Sequence, residues 1–146
     1  MKILFIDPRE YLSNGINGGI AALSASLKLQ GHSVELFDTT FLKTNDELLR
    51  YKNHAGVMQF KKTEMTLEEL VADDPVVDLS HELQKIISTF QPDIIAISSM
   101  TATFDKACDL VRKVKHSAIV IAGGIHPSIA PDDAITQEPI DIVCFS

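Results

Sequence analysis

The sequence predicts an α/β domain built on a doubly wound, five-stranded parallel sheet, and two observations carry that prediction. Short apolar runs, too brief for helices, alternate with stretches of helical period, which is the pattern of strands joined by crossover helices. Two of those runs, residues 93–98 and 118–122, are almost continuously apolar, as strands buried on both faces require.

Taken in order, Lys2 to Ile6 reads as the first strand. A helix over about residues 18–30 follows, its face made by Ile20, Leu23 and Leu27 with Ala21, Ala22 and Ala25, and Gly31 is placed to stop it in a left-handed turn. Val34 to Phe37 is the second strand. Leu79, Leu83, Ile86, Ile87 and Phe90 recur at helical spacing, and Gln91-Pro92 ends that helix before the third strand, Asp93 to Ser98. Ala102 to Lys115 gives a helix with Phe104, Ala107, Cys108, Val111 and Val114 inward. Ala118 to Ala122 is the fourth strand, a short helix begins near Pro131, and Asp141 to Phe145 is the fifth strand. Residues 39–78 are too long for an ordinary connection and read as an insertion, with short helices expected at Asp46 to Tyr51 and Leu67 to Ala72.

Right-handed crossovers and one reversal of winding give the flavodoxin-like (Rossmann-like) order 2-1-3-4-5 in three layers, α/β/α. Ligands then bind at the carboxyl ends of the strands, which singles out the loops Asp7 to Gly19, Ser98 to Thr103 and Gly123 to Pro131.

Composition narrows the function. The 146 residues, 45% hydrophobic, fit one domain over residues 1–146. Thirteen basic against twenty acidic residues leave a net charge of −7, which disfavours nucleic acid and anionic lipid as partners. No apolar run is long enough for a membrane span, and the first strand meets Asp7-Pro8 too soon for a signal peptide; the expectation is a cytoplasmic protein. Cys108 and Cys144 have no metal-ligand spacing and read as buried apolar residues.

The first loop is rich in residues that let a ligand approach the backbone: Asn14, Gly15, Asn17, Gly18 and Gly19, leading into a helix N-terminus. It is not G-x-G-x-x-G and has no P-loop lysine, so neither dinucleotide nor Walker-type binding is supported. Ser98, Ser99, Met100 and Thr101 end the third strand with hydroxyls, and Gly123-Gly124 end the fourth with open space. Each pattern also has a plain structural reading, as helix caps or tight packing. His126, followed by Pro127, is the titratable residue at the crevice, whereas His32, His54, His81 and His116 read as surface residues. Asp7 reads as a cap or a loop-ordering group. No nucleophile, base and orienting group assemble from these loops.

Ser98-Ser99-Met100-Thr101, then a helix, then Gly123-Gly124-Ile125-His126-Pro127-Ser128, a Pro131-Asp132-Asp133 helix start and Ile140-Asp141-Ile142-Val143 resemble the N-terminal cobalamin-binding domain of cobalamin-dependent radical SAM proteins. The resemblance covers nearly the whole chain. It implies that Ser98 to Thr101 and Gly123-Gly124 line a channel for the cobalamin nucleotide tail, with the first and fourth loops supporting the corrin. Methionine-synthase-like relatives carry Asp-x-His-x-x-Gly after the first strand, with the histidine on cobalt. Asp7-Pro8-Arg9 has no histidine, which selects the radical SAM branch and implies base-off, His-off cobalamin, with no metal ligand from this chain. The chain then reads as the N-terminal fragment of a longer enzyme for methyl transfer or radical rearrangement. Its partner is a radical SAM domain in the same full-length protein, which carries the 4Fe-4S cluster and S-adenosylmethionine; this chain alone is not catalytic.

Two other classes stay open beside it. The first loop, its helix and Gly31-His32-Ser33-Val34 resemble the opening of two-domain nucleotide-sugar glycosyltransferases, although the Ser98 turn and the Gly123-Gly124-x-His126-Pro127 loop do not. A non-catalytic flavodoxin-like ligand-binding or receiver module is the third. A receiver needs an aspartate after the third strand and a lysine after the fifth, and Ser98-Ser99 and Phe145-Ser146 supply neither.

Overall fold

The computed structural model describes residues 1–11, 13, 15–44 and 75–145. Five strands, β1 (Lys2–Asp7), β2 (Ser33–Asp38), β3 (Ile94–Ser98), β4 (Ile119–Gly123) and β5 (Ile142–Val143), form one sheet in the order β2-β1-β3-β4-β5, every pair parallel. The helices in chain order are α1 (Gly18–Leu29), α2 (Leu79–Phe90), α3 (Thr101–Arg112), α4 (Ile125–Ile129) and α5 (Pro131–Thr136). This is the flavodoxin-like arrangement that the alternating pattern predicts.

Alternation along the strands assigns the two faces. Leu4 and Ile6 of β1, Phe37 of β2, Ile95 and Ile97 of β3, and Val120 and Ala122 of β4 face one side. There they meet Leu79, Leu83 and Ile87 of α2, Phe104, Ala107, Cys108 and Val111 of α3, and Ala134 of α5 in the main core. Each fully buried Leu or Ile in it contributes about 1.5–3 kcal/mol. Ile3, Phe5 and Ile20 form the smaller core on the opposite face, under α1.

Local chemistry fixes the helix ends. Asn17 caps α1 by accepting from the Ile20 amide at 3.2 Å, and Gly31 takes φ +82° at its other end. Asp78 caps α2 by accepting from Ser80 and His81 amides. Gln91 then takes the left-handed conformation at φ 51°, and Pro92 lets the chain leave extended.

Four sequence expectations are corrected. The strands and helices shift by one to three residues at their ends, and β5 shrinks to Ile142–Val143 because it finds only Ile121 and Ala122 to pair with. The helix expected at Ala102 to Lys115 runs Thr101–Arg112. The Gly123 to Pro131 segment is not all loop but contains the helix α4. Cys108 is buried, but Cys144 is exposed, because it follows a short edge strand on the sheet face that carries only α1 among the described helices. The two short helices expected within the 39–78 insertion lie outside the described residues. The insertion's described ends are tucked in, with Thr39, Thr40 and Lys43 buried and the Val77 amide donating to the Lys43 carbonyl at 2.9 Å.

Candidate functional site

At the carboxyl ends of the strands, three of the sequence-predicted loops come together. Asn17 is the hub on the α1 side. Its amide nitrogen lies 3.4 Å from Ser98 Oγ while its oxygen caps α1, so the first loop is tied to the end of β3. Ser98 stands in register with Gly123 of β4. These strand ends, with Gly18 beginning the helix, make one crevice.

The glycines separate into two kinds. Gly15, Gly31 and Gly124 adopt φ of +94°, +82° and +101°, where a side chain would strain the backbone. Gly124 also lies so close to β3 that a Cβ would meet Ser99 O at 2.7 Å and Ser99 N at 2.8 Å. Gly18 is different: nothing lies within 4 Å of where its Cβ would be, and at Gly123 the nearest atoms are at 3.8 Å or beyond. The fold's own packing and backbone demand neither Gly18 nor Gly123, and both border the Asn17–Ser98 contact. A large ligand needs room of this kind there. Ser99 Oγ, buried at the same strand end, has no hydrogen-bond partner among the described residues, an open polar position that a ligand or water has to satisfy.

On the other flank of the crevice, His126 turns inward. Its residue is 7% exposed, its ring stacks on Phe104 with centroids 4.3 Å apart, and its nitrogens lie 3.4 Å from Thr101 Oγ1 and 3.2 Å from Asp133 Oδ2. Pro127 is buried beside it. These two residues shape the β4 loop from beneath. Met100 and Thr101 are exposed at the start of α3, and Gly15 in the first loop and Gly19 in the first turn of α1 are exposed. Asn14 lies outside the described residues. The surface assignment holds for His81, which is exposed, while His32 and His116 are half-buried; His54 lies outside the described residues.

Sequence reasoning missed the second flank of α1. A cavity of about 830 Å³ opens there between the first loop, α1 and β2. It shares Gly15 and Asn17 with the predicted site and adds Asp7, Ser13, Asp38 and Thr40. Asp38 accepts from the Thr40 amide at 2.8 Å and hydroxyl at 2.6 Å. The signal was present in Asp38-Thr39-Thr40 directly after a strand. Asp7 orders the loop rather than capping the helix: its carbonyl accepts from the Arg9 and Thr39 amides, and its carboxylate lies 3.9 Å from Arg9 Nε. Burial pushes the Asp7 carboxyl above the usual carboxylate range, assisted by Asp38 and opposed by Asn17 and Arg9.

No cluster of three or more metal-ligating side chains occurs among the described residues, and no described helix is long and apolar enough to cross a membrane.

The comparisons with known proteins bear on this crevice. The model of the B12 binding domain family matches residues 9–146. No curated protein matches the sequence. Two solved structures of TsrM, a radical S-adenosylmethionine methyltransferase from Kitasatospora setae, share the fold. The one with tryptophan substrate and a SAM analogue bound superposes with a TM-score of 0.61 at 14% identity, over 92% of this chain and 21% of that one. The one with cobalamin and a [4Fe-4S] cluster bound gives 0.58 at 15% identity, over 92% and 20%. The chain thus spans about one fifth of the length of these neighbours.

Proposed function

This chain belongs to the B12 binding domain family, and from that premise we propose that it is the cobalamin-binding module of a cytoplasmic radical SAM enzyme. Residues 1–146 form its N-terminal unit. Methyl transfer or radical rearrangement takes place with a downstream domain that carries the 4Fe-4S cluster and S-adenosylmethionine. The observation that carries the reading is the pair Gly18 and Gly123, whose missing side chains the fold does not require, on either side of Asn17 and Ser98. In this reading Ser98, Ser99, Met100 and Thr101, with Gly123 and Gly124, line the channel for the nucleotide tail, with hydroxyls to bond it. Asn17, Gly18 and Gly19, with the rest of the first loop, support the corrin together with the β4 loop, which His126 and Pro127 hold from below.

Bound cobalamin supplies a cobalt centre that can carry a methyl group. The chain's own contribution is binding and orientation. The described histidines do not serve as cobalt ligands in this reading: the first loop has none, and both ring nitrogens of His126 lie within reach of partners in the chain. With the tail held in its channel by Ser98, Ser99 and Gly123 and no described histidine to replace it, cobalamin would be bound base-off and His-off in this reading.

Purified protein mixed with hydroxocobalamin should retain it through gel filtration with micromolar affinity, about −8 kcal/mol. The cob(II)alamin complex should show no nitrogen superhyperfine splitting in electron paramagnetic resonance. Failure to bind at roughly 1 mM cobalamin, a ligand level that corresponds to only about −4 kcal/mol, overturns the reading. Triplet splitting that vanishes in His126→Ala would assign the ligand to His126 instead.

A further inference from the structure

We infer that Asp133, acting through His126, fixes the Thr101 hydroxyl as a hydrogen-bond acceptor toward the crevice, so that the crevice selects a ligand amide N–H at that point. The inference rests on the cobalamin reading above, because cobalamin carries amide N–H groups on its corrin side chains and in the linker to its nucleotide tail.

The argument follows from donor and acceptor capacity. A carboxylate accepts only, so the 3.2 Å contact between Asp133 Oδ2 and His126 Nε2 places the imidazole proton on Nε2. A neutral imidazole carries one N–H, which leaves Nδ1 as a lone pair. Thr101 Oγ1, at 3.4 Å from Nδ1, then contacts it by donating its own proton. With that proton committed inward, the hydroxyl presents lone pairs to solvent from an exposed position at the start of α3.

The geometry keeps the relay from swinging away. The His126 ring is stacked on Phe104, and its backbone N–H donates to the Ser99 carbonyl at 3.3 Å. Gly124 packs against the same Ser99 backbone too closely to admit a Cβ. One imidazole therefore links α3, α4 and α5 at the point where the β3 and β4 ends form the crevice. Asp133 and His126 are positioning residues; Thr101 is the group that meets the ligand. Asp133 is well placed for a test because its side chain is 58% exposed, so its replacement leaves the core intact.

Two measurements on the whole chain decide the matter. Long-range nitrogen–proton correlation spectra at about pH 8.5, above the ordinary imidazole range, should show His126 as the Nε2–H tautomer, assigned by loss of the signal in His126→Gln. An Nδ1–H tautomer overturns the relay. At the same pH, hydroxocobalamin binding should weaken about five- to tenfold in both Asp133→Ala and Thr101→Val, the size of one lost hydrogen bond. Thr101→Ser should restore near-normal binding, and the double variant should be no worse than either single one. Additive losses, or normal binding in Thr101→Val, overturn the inference. A wild-type protein that shows the Nε2–H tautomer yet does not bind cobalamin would sink the cobalamin reading and leave the relay's polarity standing.

Discussion

Asp7 shows what a single buried carboxylate does to this fold. It ends β1 at 5% exposure, and desolvation raises its pKa more than Asn17 and Arg9 lower it. A carboxyl whose folded pKa lies above its unfolded value favours the protonated fold. Its stabilising contribution is present below the ordinary carboxylate pKa and is lost as pH rises through the raised one. Asp7→Asn, which keeps an oxygen acceptor for Asn17, should therefore raise the melting temperature at neutral pH and give no gain near pH 3. If the variant is less stable at both pH values, the ionised form is held by Asn17 and Arg9 and the sign is wrong. The role of Asp7 in ordering the loop was legible in the sequence. Its burial was not, because Thr39 folds back over the strand end through contacts that lie thirty residues apart in the chain. The cysteines divide for a similar reason. Cys108 lies on the inward stripe of α3, where burial pushes its thiol up to about 11, whereas the exposure of Cys144 depends on which helices cover the sheet.

At the scale of elements, apolar runs and helical stripes located all five strands and the helices α1, α2 and α3, and Pro131 at a helix's first turn located α5. The helix α4 escaped because five residues carry no period, and Pro127 at its third position reads as a loop. Pro is tolerated there because the first N–H groups of a helix lack intrahelical partners, and tertiary contacts from His126 to Ser99 and Phe104 hold the segment. The glycines bordering the crevice were legible as a group, but their division was not, since it depends on neighbours in space. That division makes a prediction. Gly124→Ala should cost about 1–3 kcal/mol of stability, because its backbone sits in the left-handed region and its Cβ strikes Ser99. Gly18→Ala should be neutral or stabilising by up to about 1 kcal/mol, and Gly123→Ala should leave the melting temperature within a few degrees, yet both should weaken cobalamin binding. Denaturant melts set beside binding isotherms check this. If Gly18→Ala and Gly123→Ala bind like wild type, the open space belongs to something other than the proposed ligand.

For the whole molecule, sheet order sets where a ligand can act on stability. The main core lies on one face, under α2, α3 and α5, while the other face holds α1 and leaves Ile119 and Ile142 about half exposed at the β4 and β5 side. A ligand seated at the carboxyl ends of β1, β3 and β4 bridges the α1 layer and the main core through Asn17, Ser98 and Gly123. Its binding energy should then appear as stability of the whole domain and not of one loop. At a hydroxocobalamin concentration 100-fold above the dissociation constant, linkage adds about 2.7 kcal/mol, and for a domain of this size that corresponds to a rise in melting temperature on the order of 8 °C. Cobinamide, the corrinoid that lacks the nucleotide tail, isolates the tail's share. It should give a clearly smaller shift at the same concentration, because it leaves the space beside Gly123 and the Ser99 hydroxyl without a partner. An equal shift with cobinamide would place all the binding energy in the corrin and remove the tail channel from the site, and no shift with either corrinoid would remove the site itself.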